Sequence, residues 1–386
     1  MRKCKIVSSL FCLCLLALGG CEKRNEFLDM QPETLTVTAE YPTEYPTTCS
    51  VYSVDYYSAN EADLKTIFMA GQEPNRYEYA EGPQYCLDEG SVQFYLNVYA
   101  RKMKGGFTFT TSSEDNSLKS ASFRNQINLF LRKQECWEYT GDDVALTLGN
   151  GLLAKYDDET DLSFSSYNEV YEIVLKIMEE SEIPECELLA SASCDVKTMN
   201  ENREIYNDAV THALENGYAF QEKPIRLLTT ADEYYFFSFR QMLDNLPITN
   251  VAWSTAANSF TVLPRIHVLY SQLGIMDFSA VGVYEIGKAR SSCTIIPPQD
   301  AVDVFLSEYS RSLHFDHTDL IGIELNYVVV YDGRDLIARP AWILTTVTVP
   351  ENRPETSVDQ HNINKYQFYA ISADTGVLLE RETDTR

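Results

Sequence analysis

Residues 321–342 read IGIELNYVVVYDGRDLIARPAW and decide the fold, because apolar side chains recur at every second position along them. The alternation runs through Ile321, Ile323, Leu325, Tyr327, Val329 and Tyr331. A period of two is typical of a half-buried strand. Asp332-Gly333 is a favoured pair for a tight hairpin turn. The stretch therefore predicts two antiparallel strands, the second of which carries Trp342.

The segments on either side of this hairpin extend the prediction. A helix that begins at Pro297-Pro298 has one apolar stripe, formed by Val302, Phe305, Leu306, Tyr309 and Leu313. Residues 365–373 predict a third strand, and the turn at 374–376 leads into a fourth over 377–381. A helix followed by four antiparallel strands makes a two-layer α+β unit. We expect Trp342 to lie in its core, against the helix stripe.

The rest of the chain has the same mixture of patterns. Ser58 to Glu61 and Ser166 to Glu169 each match a capping box that opens a helix, and residues 203–214 predict another. Strand patterns lie between these helices and after residue 223. We therefore predict an α+β fold in which antiparallel β-meanders pack on helices, in two or more units. The predicted division is a domain over 35–222 and a region over 223–386.

The first 34 residues have the pattern of an export signal. Arg2, Lys3 and Lys5 precede a short apolar stretch that ends in Leu18-Gly19-Gly20-Cys21. This ending resembles the lipobox of bacterial lipoproteins, which implies cleavage after residue 20 and a diacylglyceryl group on Cys21. Residues 21–34 then form a tether. The resemblance implies a lipid-anchored, extracytoplasmic protein at the cell membrane or the outer membrane, with an ordinary signal peptide as the alternative.

Charge and cysteine content narrow the function further. The chain has 57 acidic and 31 basic residues, a net charge of −26 that repels nucleic acid. We therefore expect no nucleic-acid partner.

Cysteines in an exported chain either form disulfides or stay as buried thiols. Of the six cysteines after Cys21, we expect Cys186 and Cys194 to be the pair if disulfides form; the others are Cys49, Cys86, Cys136 and Cys293.

The C-terminal motifs resemble a known family. They are the helix start at 297–302, Pro340-Ala341-Trp342 and the closing hairpin at 369–377. Residues 223–386 are similar to the PepSY-like and Yyc-type extracytoplasmic regulator domains and to related lipoproteins of Gram-positive bacteria. Two units, at about 223–296 and 297–386, follow from the resemblance, with Asn245 at a turn where the family has glycine. The resemblance implies that the chain restrains a sensor or a protease and has no catalytic residues.

Candidate sites for chemistry are few. His314, Asp316, His317 and Asp319 have metal-ligand side chains, but their place between a helix and a strand favours turn residues, so no metal site is predicted. His212, His267 and His361 are interpreted as structural or solvated. The acidic groups at 142–143 and 157–159 are interpreted as solvated loops, although such carboxylates serve glycoside hydrolysis. We predict no cofactor and no catalytic residue.

Three functions stay open on the sequence alone. The first is a non-enzymatic, membrane-anchored lipoprotein that binds or regulates an envelope protein. The second is a surface lipoprotein that binds glycans or peptides through ten tyrosines between Tyr41 and Tyr99. The third is a hydrolase whose site is assembled from distant residues. We favour the first, because no motif for a nucleotide, a metal or a nucleophile occurs in the sequence.

Overall fold

A computed structural model describes residues 34–68, 75–79, 82–87, 97–112, 156, 159–215, 226–251, 253, 263–311, 316–349 and 365–379. Strands make up 50% of this structure and helices 23%, with four helices in the described residues. The chain forms two sheets of almost entirely antiparallel strands. The predicted α+β class, with meanders packed on helices, is therefore wrong.

The elements are numbered along the chain. The four helices are α1 (Glu61–Phe68), α2 (Tyr167–Glu180), α3 (Val196–Glu215) and α4 (Pro298–Tyr309). The strands of the first half are β1 (Leu35–Val37), β2 (Thr48–Tyr56), β3 (Asn75–Tyr79), β4 (Gly82–Leu87), β5 (Asn97–Met103), β6 (Gly106–Ser112) and β7 (Cys186–Cys194). Those of the second half are β8 (Tyr234–Leu243), β9 (Leu246–Pro247), β10 (Arg265–Ser271), β11 (Gly274–Val281), β12 (Tyr284–Thr294), β13 (His317–Asp332), β14 (Asp335–Val349), β15 (Lys365–Ser372) and β16 (Leu378–Leu379).

The first sheet has seven strands and is built around the β13–β14 hairpin. Its main path is β1-β13-β14-β15-β16, and β2 joins β14 and carries β12 on its other side. Tyr331 pairs with Leu336 and Asp332 with Asp335 around the turn. The predicted hairpin is thus confirmed. The predicted meander is too small, because β1 pairs with β13 in parallel and β2 extends the sheet beyond β14.

The second sheet has nine strands in the order β3-β4-β5-β6-β11-β10-β8-β7, with β9 paired to β8. It joins strands from before and after residue 222, the predicted boundary, since β6 pairs with β11 and β7 with β8. Gly106 begins β6 with a φ of 139°, and a Cβ there would lie 2.0 Å from the carbonyl oxygen of Ala280. Only glycine fits this close approach of the two backbones.

Helices cover both faces of the second sheet. Helices α1 and α2 pack on one face of the second sheet, through Leu64, Phe68, Val170 and Val174. Helix α3 packs on the opposite face through Met199. Full burial of a valine such as Val170 contributes about 1.5–3 kcal/mol. Sheet residues nevertheless dominate these cores, which is why the class is sheet-dominated.

Helix α4 and Trp342 confirm the prediction for the C-terminal core. Val302, Phe305 and Tyr309 are buried in one cluster with Trp342, which is fully buried. Pro298 occupies the first turn of the helix as expected. The helix ends at Tyr309, so the predicted stripe residue Leu313 lies outside the described residues.

The predicted helix starts are confirmed to different extents. At α2 the Ser166 side chain accepts from the backbone N–H of Glu169 and the Glu169 carboxylate accepts from that of Ser166, a complete capping box. At α1 the side chain that accepts from the first turn is Asn60, which receives the N–H of Ala62 over 2.9 Å. Helix α3 begins at Val196, seven residues before its predicted start.

The two sheets are joined where β8 continues into β9. The carbonyl oxygen of Tyr327 on β13 accepts the N–H of Thr249 over 2.9 Å. Arg240 on β8 binds Glu187 on β7 and, over 2.8 Å, Glu324 on β13 of the other sheet. An ion pair and a backbone hydrogen bond thus cross from one sheet to the other.

Candidate functional site

The predicted lipid-attachment residue and one residue of the His314–Asp319 group lie outside the part of the chain that the structure describes. These residues are Cys21 and His314. His317 is described, and its Nε2 lies 2.9 Å from Thr36 Oγ1 and 3.1 Å from Asp319 Oδ1. It therefore links β1 to β13, in line with a structural histidine. Within the described part of the chain, no group of three potential metal ligands occurs.

His267 occupies a more buried position than the sequence indicated. The sequence left it as structural or solvated, and it lies on β10 with 9% of its surface exposed. Its Nε2 lies 3.1 Å from Asp277 Oδ1 on β11, and its ring stacks on Phe236. His361, the side chain of His212 and the acidic residues 142, 143, 157 and 158 lie outside the described residues. Glu159 is exposed.

The expected pairing of Cys186 with Cys194 is wrong. The two residues are the two ends of strand β7, and both are free thiols. Eight residues of extended chain span about 26 Å, several times the reach of a disulfide. Burial raises the pKa of the Cys186 thiol to about 12 and that of Cys194 further. These thiols stay protonated at neutral pH and are poor nucleophiles.

A cluster of polar side chains lies where β2 and β13 meet the β8–β9 turn. Asp244 Oδ2 accepts hydrogen bonds from Tyr52 over 2.7 Å and from Tyr327 over 3.3 Å. Asp244 and Asn245 have φ angles of 51° and 60°, so both central residues of this turn are left-handed. Asparagine and aspartate adopt that conformation more readily than other non-glycine residues. Asn245 is therefore a suitable residue for this turn.

The phenols in this cluster and the thiols beside it are held in their protonated forms. The hydrogen bond to the Asp244 carboxylate raises the pKa of Tyr52, and burial raises that of Tyr327. Burial also raises the pKa of Cys49 to about 11 and raises that of Cys293. A thiolate or a phenolate at neutral pH is therefore disfavoured here. Tyr52 and Tyr327 are therefore suited to fixed hydrogen bonding with Asp244.

The most exposed ordered element is strand β12, an edge of the first sheet. It has eleven residues, and positions 287–292 are all exposed. It pairs with β2 on one side, and no described strand pairs with its other side. An open strand edge presents unpaired backbone N–H and C=O groups to other chains.

Hydrogen bonds at the end of β12 define which backbone groups face outward. Ile295 N donates to Thr47 O over 2.9 Å, and the adjoining register pairs Thr294 with Thr48 and Cys293 with Cys49. Inward and outward bonding alternates along an antiparallel pair. Residues 291, 293 and 295 therefore bond to β2. The N–H and C=O groups of Ser292 and Thr294 point to the open edge.

The other half of β12 is irregular. Register shifts occur between Ile286 and Ala289 and between Ala289 and Ser291. A Cβ at Gly287 would lie 2.6 Å from Ser53 Oγ, so glycine permits the close approach at the first shift. Arg290 pairs with Asp332, over 3.2 Å, and with Asp335 at the β13–β14 turn. Bulges and charged side chains protect this half of the edge, which leaves the end at Ser292–Thr294 open.

Sequence reasoning missed the open half of β12. Gly287 and the polar run after it break the alternation that marks a strand. A glycine inside a strand pattern indicates a bulge. That signal alone extends the strand past Gly287, but it does not identify an edge.

The tyrosines of the N-terminal part pack inside the chain. Five of the ten have described side chains, and all five are buried or half-buried: Tyr41, Tyr45, Tyr52, Tyr56 and Tyr57. Tyr45 meets Trp342 edge-on at 5.2 Å, and Tyr56 packs on Tyr284 at 5.1 Å. These rings form internal aromatic pairs.

The described residues form a sheet-dominated fold in which β12 lies at an edge of the first sheet. No family model matches the chain, and no curated protein matches it. A structure it is similar to is the crystal structure of an uncharacterized protein from Eubacterium rectale ATCC 33656, with a TM-score of 0.55 and 13% identity. The match covers 91% of this chain and 92% of the other. It shows a shared fold.

In the described residues, no helix is long and apolar enough to cross a membrane.

Proposed function

We propose that the chain is a lipid-anchored extracytoplasmic lipoprotein that binds a partner protein and carries out no reaction of its own. The observation that carries the proposal is the open end of β12 at Ser292–Thr294. The anchor rests on Leu18-Gly19-Gly20-Cys21. Two or three acyl chains on one residue give stable attachment to a membrane.

The mode of binding is strand addition. An extended segment of the partner lies beside β12 and pairs with the N–H and C=O groups of Ser292 and Thr294. Main-chain hydrogen bonds supply the affinity, and the exposed side chains beside them supply the specificity. The bulges near Gly287 and Ala289 keep the partner strand in register with residues 291–294.

The net charge of the chain sets a preference among partners. With 57 acidic and 31 basic residues, the protein attracts surfaces of positive potential. Charge complementarity mainly raises the association rate. We therefore expect the partner strand to be flanked by basic residues, and association to slow as salt concentration rises.

The other two functions have less support in the described residues. Three of the tyrosines proposed as a glycan platform, Tyr45, Tyr52 and Tyr56, pack against the rings of Trp342, Tyr327 and Tyr284. A stacked sugar needs an open aromatic face. For hydrolysis, the described thiols are protonated at neutral pH, and the phenols of Tyr52 and Tyr327 are protonated donors to Asp244.

A single proline substitution in β12 tests the proposal. Ser292→Pro removes the outward N–H of β12 and leaves the ladder to β2 intact, because proline is tolerated on the open side of an edge strand. Ser292→Ala keeps this N–H and serves as the matched control. Both variants are made in the full-length, lipidated protein and used to capture partners from solubilised membranes.

The expected result is a partner that binds the wild type and Ser292→Ala equally and binds Ser292→Pro at least tenfold more weakly. Equal unfolding temperatures of the two variants show that the fold is unchanged. Equal binding of the partner to both variants contradicts the proposed edge. Recovery of no partner at all with the wild type contradicts the proposed function.

A further inference from the structure

Cys49 and Cys293 are direct cross-strand neighbours although 244 residues separate them. Cys49 lies on β2, Cys293 lies on β12, and the register pairs them Cα to Cα. Directly opposed residues of an antiparallel pair place their side chains on the same face of the sheet. Both side chains belong to the core under helix α4, with Cys49 buried and Cys293 half-buried.

The Cα spacing of this pair falls within the range of disulfides, and the Cβ atoms, about 5.5 Å apart in a hydrogen-bonded pair, must approach by about 1 Å for the bond to close. Residues 293 and 49 form a hydrogen-bonded pair in the β2–β12 ladder, and Cα atoms in such pairs lie about 5.5 Å apart. Disulfides most often join Cα atoms about 5.5–6 Å apart. Cys293 Sγ lies 3.4 Å from the carbonyl oxygen of Cys49, so the thiol already leans toward its neighbour.

We propose that Cys49 and Cys293 are a redox pair that closes into a cross-strand disulfide when the protein meets a disulfide oxidant. The oxidant is a thiol–disulfide oxidoreductase or a small disulfide such as oxidised glutathione. The half-buried Cys293 thiol loses its proton and attacks the oxidant disulfide, which forms a mixed disulfide and releases one thiol. Cys49 then loses its proton, attacks Cys293 Sγ and releases the second thiol. Two protons and two electrons leave the cysteine pair, and the oxidant is reduced to two thiols.

The bond would tie the exposed edge strand to the body of the sheet. Strand β12 is held by β2 alone among the described strands, and β2 is held by β14. A bridge at the Cys293 end fixes the residues on either side of it, Ser292 and Thr294. This inference concerns the covalent state of the chain and does not depend on whether the edge binds a partner.

Trypsin cleavage makes the pairing readable by mass spectrometry. Cleavage after Arg24 and Lys65 gives peptide 25–65, in which Cys49 is the only cysteine. Cleavage after Arg290 and Arg311 gives peptide 291–311, which contains only Cys293. Peptide 177–197 contains both Cys186 and Cys194, so a bond between these two would stay within one peptide.

The full-length protein is equilibrated with oxidised glutathione, alkylated with N-ethylmaleimide and digested without reductant. The expected result is a linked species of peptides 25–65 and 291–311 that dithiothreitol separates. The link should persist in the Cys186→Ser/Cys194→Ser control and disappear in Cys293→Ser. The oxidised wild type should also unfold at a higher temperature than the reduced one. Recovery of both peptides as alkylated free thiols after oxidation, or a link from either peptide to a different cysteine, overturns the inference.

Discussion

The indole Nε1 of Trp342 donates a hydrogen bond to the carbonyl oxygen of Ile296 over 3.0 Å. Ile296 precedes helix α4, and Trp342 lies on β14 of the first sheet. Tyr45 from the N-terminal segment packs edge-on against the same indole. One buried side chain thus joins three segments that are distant in sequence.

Truncation of Trp342 should destabilise the protein strongly. Trp342→Ala leaves a cavity in the core under α4, and such changes cost about 3–5 kcal/mol. Trp342→Phe keeps most of the ring and loses mainly the hydrogen bond to Ile296, a loss of about 1 kcal/mol in addition to some packing. Urea unfolding of both variants gives the free energies. Leu227→Ala is the control, because Leu227 is 66% exposed and should change stability by less than about 0.5 kcal/mol. A loss for Trp342→Ala no larger than the control contradicts a core role.

Removal of Arg240 should weaken the junction between the two sheets. Arg240→Gln breaks the bonds to Glu187 and Glu324 and leaves two partly buried carboxylates close together without their cation. Loss of such charge-assisted hydrogen bonds costs about 1.5–3 kcal/mol. The matched control is Arg311→Gln, since Arg311 pairs with Glu308 on an exposed helix end and should contribute less than about 1 kcal/mol. The unfolding midpoint in urea compares the two; equal shifts for both arginines would show that the junction ion pairs add nothing.

The stability contribution of Asp374 should depend on pH. Burial alone would raise the pKa of Asp374, but hydrogen bonds from Ser372 and Arg339 outweigh burial and lower it. A lowered folded-state pKa stabilises the protein above the unfolded-state pKa of about 3.9, and this contribution is lost as pH falls through the folded-state value. Arg339→Gln should therefore cost about 1 kcal/mol at neutral pH.

The difference between Arg339→Gln and the wild type should shrink below about pH 4, where Asp374 begins to bind a proton. Denaturant unfolding at neutral pH and at about pH 3 measures it. The control is the same comparison in the Asp374→Asn background, which has no titrating group at this position. The difference in unfolding free energy between Asp374→Asn and Arg339→Gln/Asp374→Asn should not shrink as pH falls. A constant difference between wild type and Arg339→Gln across the pH range would contradict the role of this pair.

Lipid attachment should require Cys21. Cys21→Ser removes the thiol that receives the diacylglyceryl group, so the protein should lose incorporation of labelled palmitate and be released or keep its signal. Cys14→Ser is the control, because Cys14 lies within the predicted signal stretch and should leave labelling unchanged. If Cys21→Ser still incorporates label and stays on the membrane, the lipoprotein prediction is wrong.

Local elements were predictable from the sequence where one short pattern determines them. The alternation before Asp332-Gly333 predicted the β13–β14 hairpin, and the spacing after Pro298 predicted helix α4. The Ser166 capping box was likewise correct. In each case the interactions lie within about twenty residues along the chain, so the pattern and the structure share the same range.

The prediction of the fold class was wrong because strand pairing between residues far apart in sequence leaves no local pattern. The C-terminal segment was expected to close on itself as a four-stranded unit with one helix. In the structure β14 also pairs with β2, about 280 residues earlier, and β1 pairs with β13. The added strands β1 and β2 make one large sheet. The helices therefore account for a small part of the structure.

The predicted pairing of Cys186 with Cys194 was wrong for a related reason. Cys186 and Cys194 are close in sequence, which favoured them as a pair. The run from one to the other forms strand β7, which holds its two ends far apart. Cys49 and Cys293 are far apart in sequence and adjacent in the structure, so only the β2–β12 register brings them together.

Hydrogen exchange along β12 tests the central claim most directly. In the free protein the amides of Ser292 and Thr294 should exchange rapidly, while those of Cys293 and Ile295, bonded to β2, should exchange slowly. Addition of a captured partner should slow exchange at Ser292 and Thr294 at least tenfold and leave Cys293 and Ile295 unchanged. A complex that forms while Ser292 and Thr294 still exchange as in the free protein would contradict binding through this edge.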